Sequence, residues 1–202
     1  MTLPRLLVIT DRILARSGVE QVAEEVARAG GWLLLRDKDL AGEERRQLAH
    51  RLRRITREHG TAFSVSADIA LAGEVDADGV HLQELPAIPV ARAALGAGSW
   101  IGFSAHSIAD VAAAHSAGAD YVTLSPIYET SSKPGYGPVR GTDFVRQAAG
   151  LGLPVFALAG LAPARAVECR LAGAYGVAVM GGIMCSENPG AEVGLYLEAL
   201  GR

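Results

Sequence analysis

The sequence predicts an α/β fold in which eight parallel strands close into a barrel and helices cover its outside. Three observations predict it. Short apolar runs alternate strictly with helix-like stretches along the whole chain, eight times over. The runs are apolar almost throughout, as strands buried on both faces are. The units recur about every 25 residues, and eight units is the number that closes a parallel barrel. An open doubly wound sheet fits the same alternation, and the strand count favours the closed form. The expectation is a compact single-domain (β/α)8 TIM barrel over residues 1–202.

The elements follow in order. The first strand reads Leu6-Leu7-Val8-Ile9 and hands over at Thr10-Asp11-Arg12. A helix over 19–29 leads to the second strand, Trp32-Leu33-Leu34-Leu35, and a long charged helix over 42–59 stops at Gly60. Ala62-Phe63-Ser64-Val65 is the third strand, with a short helical piece over 68–72. Gly79-Val80-His81-Leu82 is the fourth, followed by a helix over 88–95. The fifth strand covers 100–103. Ser107 then suits a helix N-cap, with Asp110 three residues on and a helix to 117. Tyr121-Val122-Thr123-Leu124 is the sixth strand, and a Gly-, Pro- and Ser-rich loop runs from 125 to 141. A helix over 143–149 precedes the seventh strand, 154–157. Pro163 suits the first turn of the next helix, 163–171. The eighth strand covers 176–180, and a helix over 189–200 follows.

Composition bounds the function. The chain has 202 residues, 50% of them hydrophobic, enough for one sizeable core. A net charge of -3 and a pI near 6.0 give no reason to expect a nucleic-acid partner. The arginines at 45, 46, 51, 53 and 54 lie among Glu43, Glu44 and Glu58 on one helix and read as a solvated face. Cys169 and Cys185 form no metal-ligand spacing and suggest no disulfide scaffold. No run approaches a membrane span, and the first residues carry no long apolar signal region, so a cytoplasmic location is expected.

In a parallel barrel, reactive groups gather at the C-terminal ends of the strands. Four places there stand out. Gly160 follows the seventh strand, and Met180-Gly181-Gly182 ends the eighth, where this architecture commonly holds a phosphate; tight turns are the plain alternative. After the second strand, Arg36 and Lys38 share one face while Asp37 and Asp39 take the other. Two cations at a barrel mouth suit a phosphate or carboxylate, and a solvated turn with local ion pairs fits equally well. The 125–141 loop, with Thr130, Ser132 and Lys133, is long enough to be a lid or simply a mobile loop. Ser104-Ala105-His106-Ser107 places one histidine at a strand end, where it can carry a proton. His50, His59 and His115 fall in helical patterns, and His81 reads as a satisfied histidine inside the barrel.

Several of these stretches, taken together, resemble the thiamine phosphate synthase superfamily. They include Leu6 to Asp11, Leu35-Arg36-Asp37-Lys38-Asp39, Ala77 to Leu82, Gly118 to Val122, Ser125 to Pro134, and the glycine-marked ends of strands seven and eight. The resemblance covers nearly the whole chain and implies a compact (β/α)8 barrel, often homodimeric. One branch, the synthase, joins a thiazole phosphate to a hydroxymethylpyrimidine pyrophosphate with magnesium. The other, thiazole tautomerase, aromatises a thiazole carboxylate phosphate without metal. The synthase has an Asn-Asp-Arg run after strand three, which we match here to Ser64-Val65-Ser66. Its Gly-Gln-Glu-Asp after strand four is matched by Gln83-Glu84-Leu85-Pro86. With Val65 and Leu85 at the metal positions and Glu84 the one carboxylate left, no metal site is expected.

The resemblance therefore implies a thiazole tautomerase with His106 as general acid/base and no cofactor. Arg36, Lys38, Ser104, Thr130, Ser132 and Lys133 would bind substrate, with the phosphate at Gly160, Met180, Gly181 and Gly182. Magnesium enters only for the alternative, a thiamine phosphate synthase. A non-catalytic barrel that binds thiazole or thiamine phosphate is a third possibility. The expected partner is a small thiazole phosphate, with no nucleic acid and no membrane, and a homodimer as the implied assembly.

Overall fold

Along the first strand Leu7 and Ile9 face one side and Leu6 and Val8 the other, and all four are buried. A strand with two apolar faces needs a covering on each. The computed structural model describes residues 2–40, 42–130 and 137–201, and in it that covering is a closed parallel barrel wrapped by helices. The strands are β1 (Leu6–Ile9), β2 (Trp32–Leu35), β3 (Phe63–Ser66), β4 (Gly79–Leu82), β5 (Trp100–Ala105), β6 (Tyr121–Leu124), β7 (Val155–Leu158) and β8 (Gly176–Val179). The helices are α1 (Val19–Arg28), α2 (Gly42–Glu58), α3 (Ile69–Glu74), α4 (Ala87–Leu95), α5 (Ile108–Ala117), α6 (Gly141–Ala149), α7 (Pro163–Leu171), α8 (Gly181–Met184) and α9 (Pro189–Ala199). Sequential strands pair in order, and β8 closes the ring on β1 with Leu7 beside Ala178.

Strand alternation divides the core in two. Leu7, Ile9, Trp32, Leu34, Tyr121, Phe156 and Ala178 fill the inside of the barrel. Their neighbours, such as Leu6, Val8, Leu33, Val80, Val122 and Val177, face the helices. The inner filling is aromatic: the Trp32 ring lies 5.0 Å from Tyr121 and 5.8 Å from Phe156, edge to face. Its indole N–H donates to Ser64 Oγ at 3.0 Å, so the buried polar atom is satisfied. This plug fills the bore beneath the C-terminal mouth.

The structure departs from the sequence reading at three places that matter. β5 runs two residues past Phe103, through Ser104 and Ala105, because their backbone pairs with β6 up to Leu124. β8 stops at Val179, and Met180 instead caps α8, a four-residue helix with no apolar period long enough to read. β3 extends to Ser66, so the residues after that strand are Ala67 and Asp68. The family's Asn-Asp-Arg run, placed after strand three, cannot lie at 64–66. Val65 faces the helices inside the outer core.

Candidate active site

Above the aromatic plug lies a cavity of about 910 Å³, open at the C-terminal ends of the strands. Its walls come from every strand but the polar groups are unevenly spread. Ile9, Leu34, Leu158 and Ala178 supply apolar area, while Arg36, Lys38, His81, Ser104, Thr123 and His106 supply chemistry.

The β1–β2 corner is built around one buried carboxylate. Asp37 accepts from Thr10 Oγ1 at 2.5 Å and from the Arg12 amide at 2.7 Å. Thr10 Oγ1 in turn accepts from the Arg36 amide at 2.9 Å. Asp39 pairs with Arg12. Alternation then sends Arg36 and Lys38 into the cavity, as the sequence predicts. Arg36 leans on Asp11 at 3.5 Å, a loose half-exposed pair. The acidic partners stay on the loop side, so the mouth is cationic along this edge.

A polar layer sits on the plug. His81 on β4 meets Tyr121 Oη at 3.2 Å through Nδ1, and Ser104 Oγ at 3.0 Å and Thr123 Oγ1 at 3.2 Å through Nε2. Burial, with nearby Lys38 adding to it, pushes the ring down to about 3, so His81 is neutral at working pH. Burial likewise pushes the Tyr121 phenol up, and it stays protonated. Gly102 makes room for this meeting: a Cβ there would lie 2.1 Å from Tyr121 Cζ and 2.5 Å from His81 Nδ1. His81 is satisfied inside the barrel, as the sequence reading has it, but it also lines the mouth.

His106 follows β5 directly. Ser107 caps α5 by accepting from the Asp110 amide at 3.0 Å, and Asp110 accepts from the His106 amide at 2.8 Å. This reciprocal cap fixes the backbone under the histidine. Its Nδ1 lies 3.2 Å from both the Ser125 carbonyl and the Ser125 hydroxyl. The ring is exposed at the cavity rim, where a ligand can reach it.

The opposite wall is made by the loops after β6, β7 and β8. Gly160 has φ 63°, and a Cβ there would meet the Glu129 carbonyl at 2.1 Å and Tyr128 Cβ at 2.8 Å. Arg165 fastens this wall: it donates to the Gly160 carbonyl at 2.6 Å and lies 4.6 Å over the Tyr128 ring. Tyr128 donates to Glu168 at 2.6 Å. Across from it, Gly181 and Gly182 open α8 at the cavity edge, where the first N–H groups of a helix have no acceptor within it.

The structure therefore brings together His106, Arg36, Lys38, Ser104, Thr130, Gly160, Met180, Gly181 and Gly182 around one cavity. Ser132 and Lys133 lie outside the described residues. Ser66, Gln83, Thr123, Ser125 and Glu129 also line it. Of these, Thr123 was legible as an inward residue of its strand, and Gln83 as the residue just past one.

Carboxylates are sparse at the mouth among the described residues. Among the described lining residues Glu129 is the one carboxylate. Asp68 caps α3 by accepting from the Leu71 amide at 2.9 Å and pairs with Arg45 at 3.2 Å. Glu84 is exposed and off the cavity, and no cluster of three or more His, Cys, Asp or Glu forms among the described residues. The described residues thus offer a magnesium–diphosphate complex one carboxylate at the mouth, Glu129, where such sites use one or two beside the diphosphate oxygens and waters.

The chain is similar to proteins named for thiamine phosphate synthesis. The family model described as thiamine monophosphate synthase matches residues 6–183. A Geobacter sulfurreducens protein provisionally named a thiamine-phosphate synthase is 39% identical over 189 residues, 91% of this chain and 88% of that protein. A thiamine-phosphate synthase of Thioalkalivibrio sulfidiphilus is 40% identical over 174 residues, 84% of this chain and 82% of its own. Among solved structures, the thiamine phosphate pyrophosphorylase of Pyrococcus furiosus superposes with a TM-score of 0.84 at 29% identity, covering 97% of this chain and 95% of that one.

Proposed function

The chain belongs to the thiamine monophosphate synthase family, and on that premise we propose that its barrel mouth works on a thiazole phosphate in thiamine biosynthesis. The reaction we propose first is the coupling of that phosphate to a pyrimidine diphosphate. The observation that carries it is the agreement of relatives near 40% identity, which bear the name of that activity. These relatives support coupling better than the tautomerisation expected from the sequence.

Coupling forms a bond from the thiazole ring nitrogen to the pyrimidine methylene carbon and breaks the bond from that carbon to diphosphate. The leaving group gathers negative charge, and Arg36 and Lys38 face the cavity where they can offset it. The thiazole phosphate would lie on the Gly181 and Gly182 amides near Gly160, the position this architecture favours. Ile9, Leu34, Leu158 and Ala178 would exclude water from the two rings.

A second reading has its own observation. His106 stands at the rim with Ser125 behind it, beside a carboxylate-poor wall. That set suits a metal-independent proton transfer: His106 would take the proton from thiazole C2 and return one to the exocyclic carbon, with Arg36 or Lys38 on the carboxylate. A third outcome is binding without turnover.

One pair of assays separates these readings. Purified protein with thiazole phosphate, hydroxymethylpyrimidine diphosphate and magnesium should form thiamine phosphate. The same protein with the unaromatised thiazole carboxylate phosphate and EDTA should not gain an aromatic chromophore faster than buffer does. The reverse pattern would replace coupling by tautomerisation. Affinity for thiazole phosphate with neither product would leave a binding protein.

A further inference from the structure

We infer that Tyr121, acting through His81, is a positioning residue that turns the Ser104 and Thr123 hydroxyls into hydrogen-bond donors facing the ligand. The inference rests on the reading of the mouth as a ligand site. Tyr121 is fully buried, and among the described residues its phenol oxygen has one hydrogen-bond partner, His81 Nδ1 at 3.2 Å. A buried phenol proton without an acceptor is costly, so it goes to Nδ1. Nδ1 is then the acceptor of the imidazole. Burial, helped by the positive charge of Lys38, keeps the ring neutral, so its single proton is on Nε2.

That proton has two takers. Ser104 Oγ at 3.0 Å and Thr123 Oγ1 at 3.2 Å both lie against Nε2, and both side chains line the cavity. Each hydroxyl spends a lone pair on the ring. Among the described residues neither has another hydrogen-bond partner, so each can direct its own O–H at a ligand. The floor of the mouth is thus set to meet an acceptor, such as the unprotonated nitrogen of a bound heteroaromatic ring, a contact that the thiazole nitrogen gives up before it attacks. An N–H of the ligand at the same point would face two hydroxyl protons. With the opposite tautomer the hydroxyls would donate to Nε2 and present lone pairs, and the preference would invert. Gly102 belongs to the device, since any larger residue would drive the phenol and the imidazole apart.

The experiment is ¹⁵N-histidine NMR on the full chain, with resonances assigned by removing the other four histidines singly (His50→Gln, His59→Gln, His106→Gln, His115→Gln). The expected result is a neutral His81 with its proton on Nε2, and loss of that single tautomer in Tyr121→Phe. A proton on Nδ1 in the wild type, or an unchanged tautomer in the variant, would overturn the inference. In parallel, Tyr121→Phe should bind thiazole phosphate about five- to tenfold more weakly while its affinity for inorganic phosphate stays unchanged. Equal weakening of both probes would make the role merely structural and overturn it. Wild-type protein that binds inorganic phosphate but not the thiazole phosphate would instead sink the ligand reading, and the NMR result would still decide the tautomer.

Discussion

His81 and His106 both reach the barrel mouth, and burial separates what each can do. His81 is held neutral down to about pH 3, whereas an unfolded histidine titrates near 6.5. The folded-state value is the lower one, so the unfolded chain binds the proton first as pH falls. This histidine's contribution is complete above 6.5 and is lost progressively towards 3. Its loss runs at about 1.4 kcal/mol for each pH unit in that window. Urea unfolding at pH 7.5, 6, 5 and 4 should show the wild type losing this extra stability relative to His81→Gln; parallel profiles would mean the ring is not buried neutral. His106 is exposed at the rim, where a ligand can meet it. His106→Asn should leave coupling within about tenfold of wild type but cut any tautomerisation about a hundredfold or more, because one general acid/base supplies that much. Steady-state rates of the two reactions check this. The sequence order at 104–107 already pointed to His106. His81 read only as structural, because no local pattern reveals that the strands on either side bring Tyr121, Ser104 and Thr123 to it.

At the scale of elements, short connections hold the mouth in shape. The loop after β6 is pinned to the loop after β7 where Gly160 lets the Glu129 carbonyl pass. Gly160→Ala requires a positive φ of an alanine and drives its Cβ into that carbonyl. It should cost about 1–3 kcal/mol and weaken thiazole phosphate binding, by thermal unfolding and calorimetry. Unchanged stability would mean that the two loops are not packed as described. The glycine was visible in the sequence, but its reason was not: a tight turn and a close approach of another loop look alike there. The end of β5 and the start of α8 differ from the bounds the sequence predicts for related causes. Ser104 and Ala105 gain strand geometry from pairing with β6, and α8 has too few residues to show a period. The match of the metal-binding run to 64–66 failed because it needed the end of β3, which pairing with β4 carries to Ser66.

For the whole molecule, closure makes the ends of the chain interdependent. β8 must pair with β1, and α9 covers that seam with Val193, Tyr196 and Leu197 buried. Burying three such side chains stabilises by about 5–9 kcal/mol, the size of a domain's entire stability. Truncation after Asn188 should therefore give a chain without near-UV circular dichroism or a cooperative melt; a cooperative melt would show the seam is dispensable. The barrel itself was readable because its strands are apolar on both faces and come eight times in strict alternation. What runs along the chain survived the reading, and what depends on contacts across the ring did not. Alternation along the chain puts Arg36 and Lys38 on one face, and both line the mouth, whereas the polar floor depends on contacts across the ring.

The central claim is that the mouth holds a thiazole phosphate with its phosphate at the ends of β7 and β8. A crystal structure of the chain with that compound tests it most directly. The phosphate should lie on the Gly181 and Gly182 amides beside Gly160, with the ring above His81, Ser104 and Thr123. A phosphate bound elsewhere, for instance on the arginine-rich face of α2, with the mouth holding only solvent, would contradict it.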